Sequence, residues 1–352
     1  MDLVIYWHKE KMMRNWLVLL LLAAGVFAAR AEENDGRTWP AAPGAAEVCV
    51  WADDALAAVS LTIDDNCGPN HAWWLEMAKK YDVKLTWFVI VKKIDGPNKG
   101  FDGTWEDYRK ILEAGHDVQS HSFSHSNKDP EKIDFEYAES QKVIEEKLPG
   151  HKVEVIAYPG GGKANDPKIA EKYYFAARGV VGTRNIPGKI NYMNVGSQGG
   201  IPLDDSRMSI VHTINPQRPR DFHAWTVSLQ HLVKDDGKAG WEKSLAYIKE
   251  NRDKFWVETF RNCAKYGMER EKAKVESALN GDKITVKLTA DITDKRLNYP
   301  LTVKVCLPDG WKDAEAVQGG QKLTARAVTH GGKTFALVGI VPNAGDVVLS
   351  KK

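Results

Sequence analysis

From residue 57 the chain alternates short apolar runs with longer stretches whose apolar positions recur at helical spacing. Residues 57–63 (AAVSLTI) are apolar and β-branched, which predicts a buried strand. Residues 69–80 open on Pro69 and carry Trp, Leu and Met at helical spacing, which predicts a helix. The pattern continues as a strand over 83–91, a helix over 105–114, a short strand over 117–120, a charged amphipathic helix over 131–147 and a strand over 153–157. Next come a helix over 166–173, with Pro167 in its first turn, and strands over 177–181, 208–212 and 225–230. A helix over 241–251, a strand over 255–257 and a helix over 258–271 close the region. Repeated strand–helix alternation implies parallel strands joined by helical crossovers. The expected class is α/β, a distorted (β/α) barrel with one unit lost. An open doubly wound sheet is the competing arrangement, and no GxGxxG follows the first strand to favour its nucleotide-binding form.

After about residue 275 the period changes to two. Segments 283–289, 301–307, 322–328, 334–340 and 347–349 alternate in polarity and are separated by Gly, Asn and Asp turns. This predicts a small all-β, sandwich-like C-terminal domain. Residues 47–272 then form the barrel domain and 273–352 the β domain. Ahead of them, residues 32–46 are rich in Ala, Pro, Gly and Glu and read as a linker.

The amino terminus changes the picture of location. Lys11 and Arg14 precede an apolar run over 16–29, and Ala29-Arg30-Ala31 offers a small-x-small cleavage site. Residues 1–31 therefore read as a signal peptide of a secreted or periplasmic protein. A membrane anchor is the alternative, disfavoured because the run is shorter than the ~20 residues that span a bilayer. No membrane contact is expected after cleavage. The 49 basic and 47 acidic residues leave a formal charge of +2, which gives no footprint for nucleic-acid binding. The four cysteines contain no CxxC pair, so no thiolate metal knuckle is indicated, although one or two disulfides are allowed.

Four segments lie just past predicted strands, at the edge where (β/α) barrels gather their chemistry. Asp64-Asp65 follow the strand over 57–63. Other Asp pairs, at 53–54, 204–205 and 235–236, read as solvated loops. His121-Ser122-Phe123-Ser124-His125 places two imidazoles four apart, expected on one face of a helical turn where both reach one metal. With one Asp they make three ligands and leave a position open for water, as catalytic zinc requires. Tyr158-Pro159-Gly160 open a Gly-rich turn that can bring backbone N–H groups to an oxyanion, or can simply be a tight turn. His231, at the end of the strand over 225–230, is suited to general acid work near neutral pH.

Together these segments resemble the polysaccharide deacetylases of carbohydrate esterase family four, the nodulation-factor-deacetylase-like domain. Thr62-Ile63-Asp64-Asp65 is similar to the family's Thr-Phe-Asp-Asp, and His121 to His125 match its His-Ser-x-x-His. The resemblance covers roughly residues 48–270. It implies that Asp65, His121 and His125 hold a divalent metal, most often zinc, that Asp64 is the base and His231 the acid, and that Tyr158, Pro159 and Gly160 line the oxyanion and substrate site. The implied partner is an acetylated polysaccharide or oligosaccharide, cut at N-acetyl or O-acetyl groups. One departure stands out: the family's third motif usually begins with an Arg that braces the catalytic Asp, and here Ala157 takes its place. Arg178, Arg184 and Lys163 are candidate substitutes. That departure motivates an alternative reading, a carbohydrate-binding protein on a catalytically weakened deacetylase scaffold, although the intact Asp64 argues against it. Trp87, Trp105 and Trp241 are candidate sugar platforms whose favoured reading is core packing. Tyr158 is the stronger sugar-subsite candidate.

Overall fold

The computed structural model describes residues 35–126, 129–161 and 165–352. The signal peptide expected over 1–31 lies outside the described residues. Strand β1 (Ala46–Val48) comes first, and eight parallel strands follow it. They are β2 (Ala57–Ile63), β3 (Leu85–Val89), β4 (Asp117–Ser120), β5 (Val155–Ala157), β6 (Ala176–Arg178), β7 (Gln198–Gly199), β8 (Trp225–Gln230) and β9 (Phe255–Val257). Their order is β6-β5-β4-β3-β2-β8-β7, with β9 beside the start of β2. β2 lies between β3 and β8 and is buried along its whole length, as its unbroken apolar run expects of a strand covered on both faces.

The stretch 195–199 closes the sheet into a distorted barrel. The Val195 amide donates to Ala177 O at 2.8 Å and the Gly179 amide to Val195 O at 2.9 Å, while Gln198 and Gly199 pair with β8. The closing strand is thus Gln198–Gly199. The strand expected over 208–212 is instead a 3₁₀ turn, Ile210–Ile214. β7 carries no apolar run, so periodicity could not find it. The helix expected over 166–173 holds only for Pro167–Ala170, and the one expected from 241 begins at Asp235.

The C-terminal domain packs two antiparallel sheets. One is β1-β12-β16-β15, built from β12 (Leu301–Cys306), β15 (Ala325–His330) and β16 (Lys333–Ile340). The other is β10-β11-β17-β13-β14, built from β10 (Ala273–Asn280), β11 (Lys283–Ala290), β13 (Ala314–Gln318), β14 (Gln321–Leu323) and β17 (Val347–Lys351). Their inner faces share a core with Phe260, Cys263 and Ala264 of the helix Phe260–Lys272, so the last barrel helix fastens the two domains together.

Of the segment expected as a linker, residues 38–45 lie against the β domain. The Gly44 amide donates to Cys306 O at 2.8 Å, the Cys306 amide to Ala45 O at 2.9 Å, and Lys304 Nζ to Thr38 O at 2.6 Å. Trp39 stacks on His330 at 4.3 Å. Cys306 and Lys304 of β12 and His330 of β15 supply these partners, which composition alone does not reveal. Cys49, Cys67, Cys263 and Cys306 are all buried and unpaired, so the allowed disulfides do not form. Trp87, Trp105 and Trp241 are buried in the barrel core.

Candidate metal and acid–base site

The site stands on the carboxyl ends of β2, β4, β5, β6 and β8. The Asp64 amide donates to Gln230 O at 2.8 Å, extending the β2–β8 ladder by one residue and holding Asp64 at the rim, where its side chain is buried. The chain then turns through three residues in the left-handed region: Asp65 (φ 57°), Asn66 (φ 66°) and Cys67 (φ 47°). Such residues cost about 1–2 kcal/mol each without compensation. Compensation comes from the buried Asn66 side chain, which accepts from the Ile90 amide at 2.7 Å and donates to Ile90 O at 3.3 Å. The turn swings Asp65 towards the end of β4.

There His121 and His125 meet it. Asp65 Oδ1 lies 3.5 Å from His121 Nε2 and 3.5 Å from His125 Nε2. The donor atoms of the three residues all lie within 4.8 Å of one another. The two histidines are not on a helical turn as expected. They lie in a loop in which Ser122 (φ 64°) and His125 (φ 62°) adopt left-handed conformations, and this folds the rings to a 4.7 Å centroid separation.

These residues fit a divalent metal. His121 Nδ1 donates to Ala157 O at 2.8 Å, which leaves the Nε2 lone pair facing Asp65, the second-shell arrangement of metal histidines. Asp65 Oδ1 is buried with no hydrogen-bond partner, an arrangement that is costly unless a cation completes it. Burial alone would push the Asp65 carboxyl up. The imidazoles of His121, His125 and His231 around it outweigh that and bring it down to about 2. Burial, and behind it the His121 charge, holds His125 below the ordinary imidazole value, so its ring nitrogen is unprotonated at neutral pH. Two nitrogens and one carboxylate oxygen are the donor set of an open zinc-type site.

Glu136, which sequence reasoning missed, organises the histidine loop. Its buried carboxylate accepts from Ser122 Oγ at 3.0 Å, the Ser124 amide at 2.7 Å and Ser124 Oγ at 2.5 Å. Ser122 Oγ in turn accepts from the His125 amide at 2.9 Å. A signal existed: in the helix Ile133–Lys147, Glu136 falls in the buried stripe with Ile133, Tyr137, Ser140 and Ile144. A carboxylate in an apolar stripe needs partners.

The substitute for the missing motif-three Arg is Arg178. It is fully buried at the end of β6, and its Nη2 donates to Asp64 Oδ2. Arg178 pairs directly with Ala157 across the β5–β6 ladder. Arg184 instead pairs with Asp221, and Lys163 lies outside the described residues. Asp64 Oδ1 is buried with no hydrogen-bond partner. His231 stands half-exposed with Nε2 3.6 Å from Asp65 Oδ2. Its loop is pinned by Asn70, which accepts from the Val233 amide at 2.6 Å and donates to Val233 O at 3.1 Å. Tyr158 is buried against Tyr137 and offers no sugar platform. Its amide donates to Arg178 O at 3.0 Å, and Pro159 has none to give, so Gly160 (φ 61°) is the backbone donor of the three left for an oxyanion.

The rim of a parallel barrel here carries a two-histidine, one-carboxylate cluster that could hold a metal ion, beside a second, braced Asp. Residues 53–176 match the family model described as polysaccharide deacetylase. The match takes in about a third of the chain, so it is this segment that is similar to the polysaccharide deacetylase family. A curated relative named gellan lyase, from Bacillus sp, is 34% identical over 340 residues, covering 88% of this chain. The chain spans only 13% of that relative's length. Among solved structures, a family 4 acetyl xylan esterase from Clostridium thermocellum in complex with a cobalt ion is 18% identical, over 57% of this chain and 87% of that one, at a TM-score of 0.37. A CE4 family pseudoenzyme from Bacillus anthracis is 21% identical, over 57% and 63%, also at 0.37. The likeness of residues 53–176 to that family stands on the family-model match and the motif residues, not on these superpositions.

Proposed function

We propose that the protein is a metal-dependent hydrolase that removes acetyl groups from a polysaccharide or oligosaccharide. The observation that carries this is the convergence of Asp65, His121 and His125 beside an Asp64 carboxylate gripped by Arg178. A divalent ion on those three side chains, zinc first among them, would supply the Lewis acidity that acetyl hydrolysis needs near neutral pH. Asp64 acts as the base: Arg178 fixes one carboxylate oxygen, and the other, unpartnered, takes the proton of the attacking water. His231 returns a proton to the leaving amine or alcohol, and the Gly160 amide steadies the oxyanion. The rim is open, with the side chains of Asp65 and His125 each 33% exposed and that of His231 53% exposed, which suits a chain substrate lying across it.

The reading of a non-catalytic glycan-binding scaffold drew on Ala157, and the Arg178–Asp64 pair removes that ground. The proposal includes export of the protein on the leader over 1–31. Acetate release by the purified protein tests it, with chito-oligosaccharide, peptidoglycan, acetylated xylan and, because of the relative's name, acetylated gellan as substrates. Release abolished by a chelator and restored by zinc is expected. No release from any of them, with one metal bound per chain, would contradict it.

A further inference from the structure

A second charged site lies away from the catalytic cluster, in the loops between β6 and β8. A cavity of about 590 Å³ is lined by Thr183, Arg184, Arg207, Arg218, Arg220 and Asp221, four arginines to one carboxylate. That carboxylate is already shared. Asp221 Oδ1 accepts from Arg184 Nε at 3.1 Å, and its Oδ2 lies 3.8 Å from Arg218 Nε. The Arg184 side chain is only 10% exposed; its Nη2 donates to Arg207 O and Ser209 O, at 3.0 and 2.7 Å, and its Nη1 is buried with no partner. Arg218 Nη2 donates to His212 Nδ1 at 3.0 Å, and His212 Nε2 is 3.2 Å from Asp205. Arg207 and Arg220 are exposed, and no carboxylate lies within ion-pair distance of either among the described residues. Burial, with the charges of Arg218 and Arg207 behind it, holds the Arg184 guanidinium below its ordinary pKa despite the pull of Asp221.

We infer that this cavity is an anion subsite that takes the carboxylate of a uronate unit in an acidic glycan. A planar guanidinium fork matches a carboxylate bidentately, and Arg207 and Arg220, exposed in the cavity lining and without a carboxylate in ion-pair distance, are placed to offer it. The cavity is far larger than an inorganic anion requires and lies in the range that holds small organic ligands. The choice of a glycan rests on the polysaccharide-substrate reading above. The subsite makes the preferred substrate an acetylated chain that also carries carboxylates.

The test uses the full metal-loaded chain and calorimetric titration with a tetra-galacturonide, a neutral cello-oligosaccharide of equal length, and inorganic phosphate. The variant is Arg207→Ala/Arg220→Ala, two exposed positions outside the catalytic cluster. The uronate should bind, weaken about tenfold in the variant and weaken further with salt, while the neutral sugar binds no more than weakly. Acetate release from a small neutral acetylated substrate should be unchanged in the variant. Equal affinity for uronate and neutral sugar, or unchanged uronate affinity in the variant, overturns the inference. Phosphate binding without uronate binding overturns it in favour of a free anion. Arginine-dependent uronate binding without acetate release from any substrate supports the subsite and removes the deacetylase reading instead.

Discussion

At the scale of single residues, the brace on Asp64 shows what one sequence reveals and what it withholds. Asp64, Asp65, His121, His125 and His231 stood out in the sequence because each lies within a few residues of the end of a predicted strand, and the fold brings Asp65, His121 and His125 together. The brace was legible only as a choice among Arg178, Arg184 and Lys163. Choosing needs the register in which Arg178 faces Ala157 across β5 and β6, and register is a tertiary fact. Removing one partner of a fully buried ion pair leaves the other charge uncompensated, at a cost of about 3–5 kcal/mol. Arg178→Ala is therefore expected to lower stability by about that amount in urea unfolding and to reduce acetate release, with Arg178→Lys milder in both. A loss of stability under 1 kcal/mol would show that Asp64 does not depend on Arg178.

At the scale of elements, the histidine loop departs from the helical turn that its spacing suggested. Two left-handed residues and the Glu136 carboxylate do the work that helix periodicity would have done. The helix over 131–147 was read from its periodicity, but Glu136 was passed over as one more charge on a charged helix. The carboxylate sits one hydrogen bond behind the loop that carries both imidazoles, and outer-shell partners of this kind are typically worth 10- to 100-fold in metal affinity. Glu136→Gln keeps an acceptor but loses the charge and one strong acceptor oxygen. It is expected to weaken zinc binding at least about tenfold in a chelator competition. Wild-type zinc affinity in this variant would reduce Glu136 to a packing role.

At the scale of the whole molecule, the division into barrel and β domain was legible as a change of period from helical to two near residue 275. The docking of 38–45 onto the β domain and the closing strand β7 were not, since neither carries an apolar rhythm. Among the described residues no helix is long and apolar enough to cross a membrane. The junction carries a titrating group. Glu269, in the helix that joins the domains, is 1% exposed and accepts from the Tyr299 amide at 2.7 Å. Burial pushes its carboxyl up to about 7, against that amide and Lys265. With a folded pKa above the unfolded one, the native state binds the extra proton. Stability is then full below pH ~4.5 and falls as pH rises towards 7, by at most about 3 kcal/mol. Glu269→Gln, which keeps the acceptor for Tyr299, should flatten this group's contribution between pH 4.5 and 7 in urea unfolding. An unchanged pH slope would place the charge of Glu269 in solvent.

The central claim, that Asp64 is the base beside a metal held by Asp65, His121 and His125, is tested most directly by Asp64→Asn. Its metal content and acetate release are measured on the same preparation, beside His125→Ala. The amide oxygen can still accept from Arg178, so the fold and the metal should persist in Asp64→Asn while turnover falls by roughly 10²–10⁴, the usual worth of a general base. His125→Ala should lose both metal and turnover. Near-normal turnover by metal-loaded Asp64→Asn, or full metal content in His125→Ala, would contradict the account.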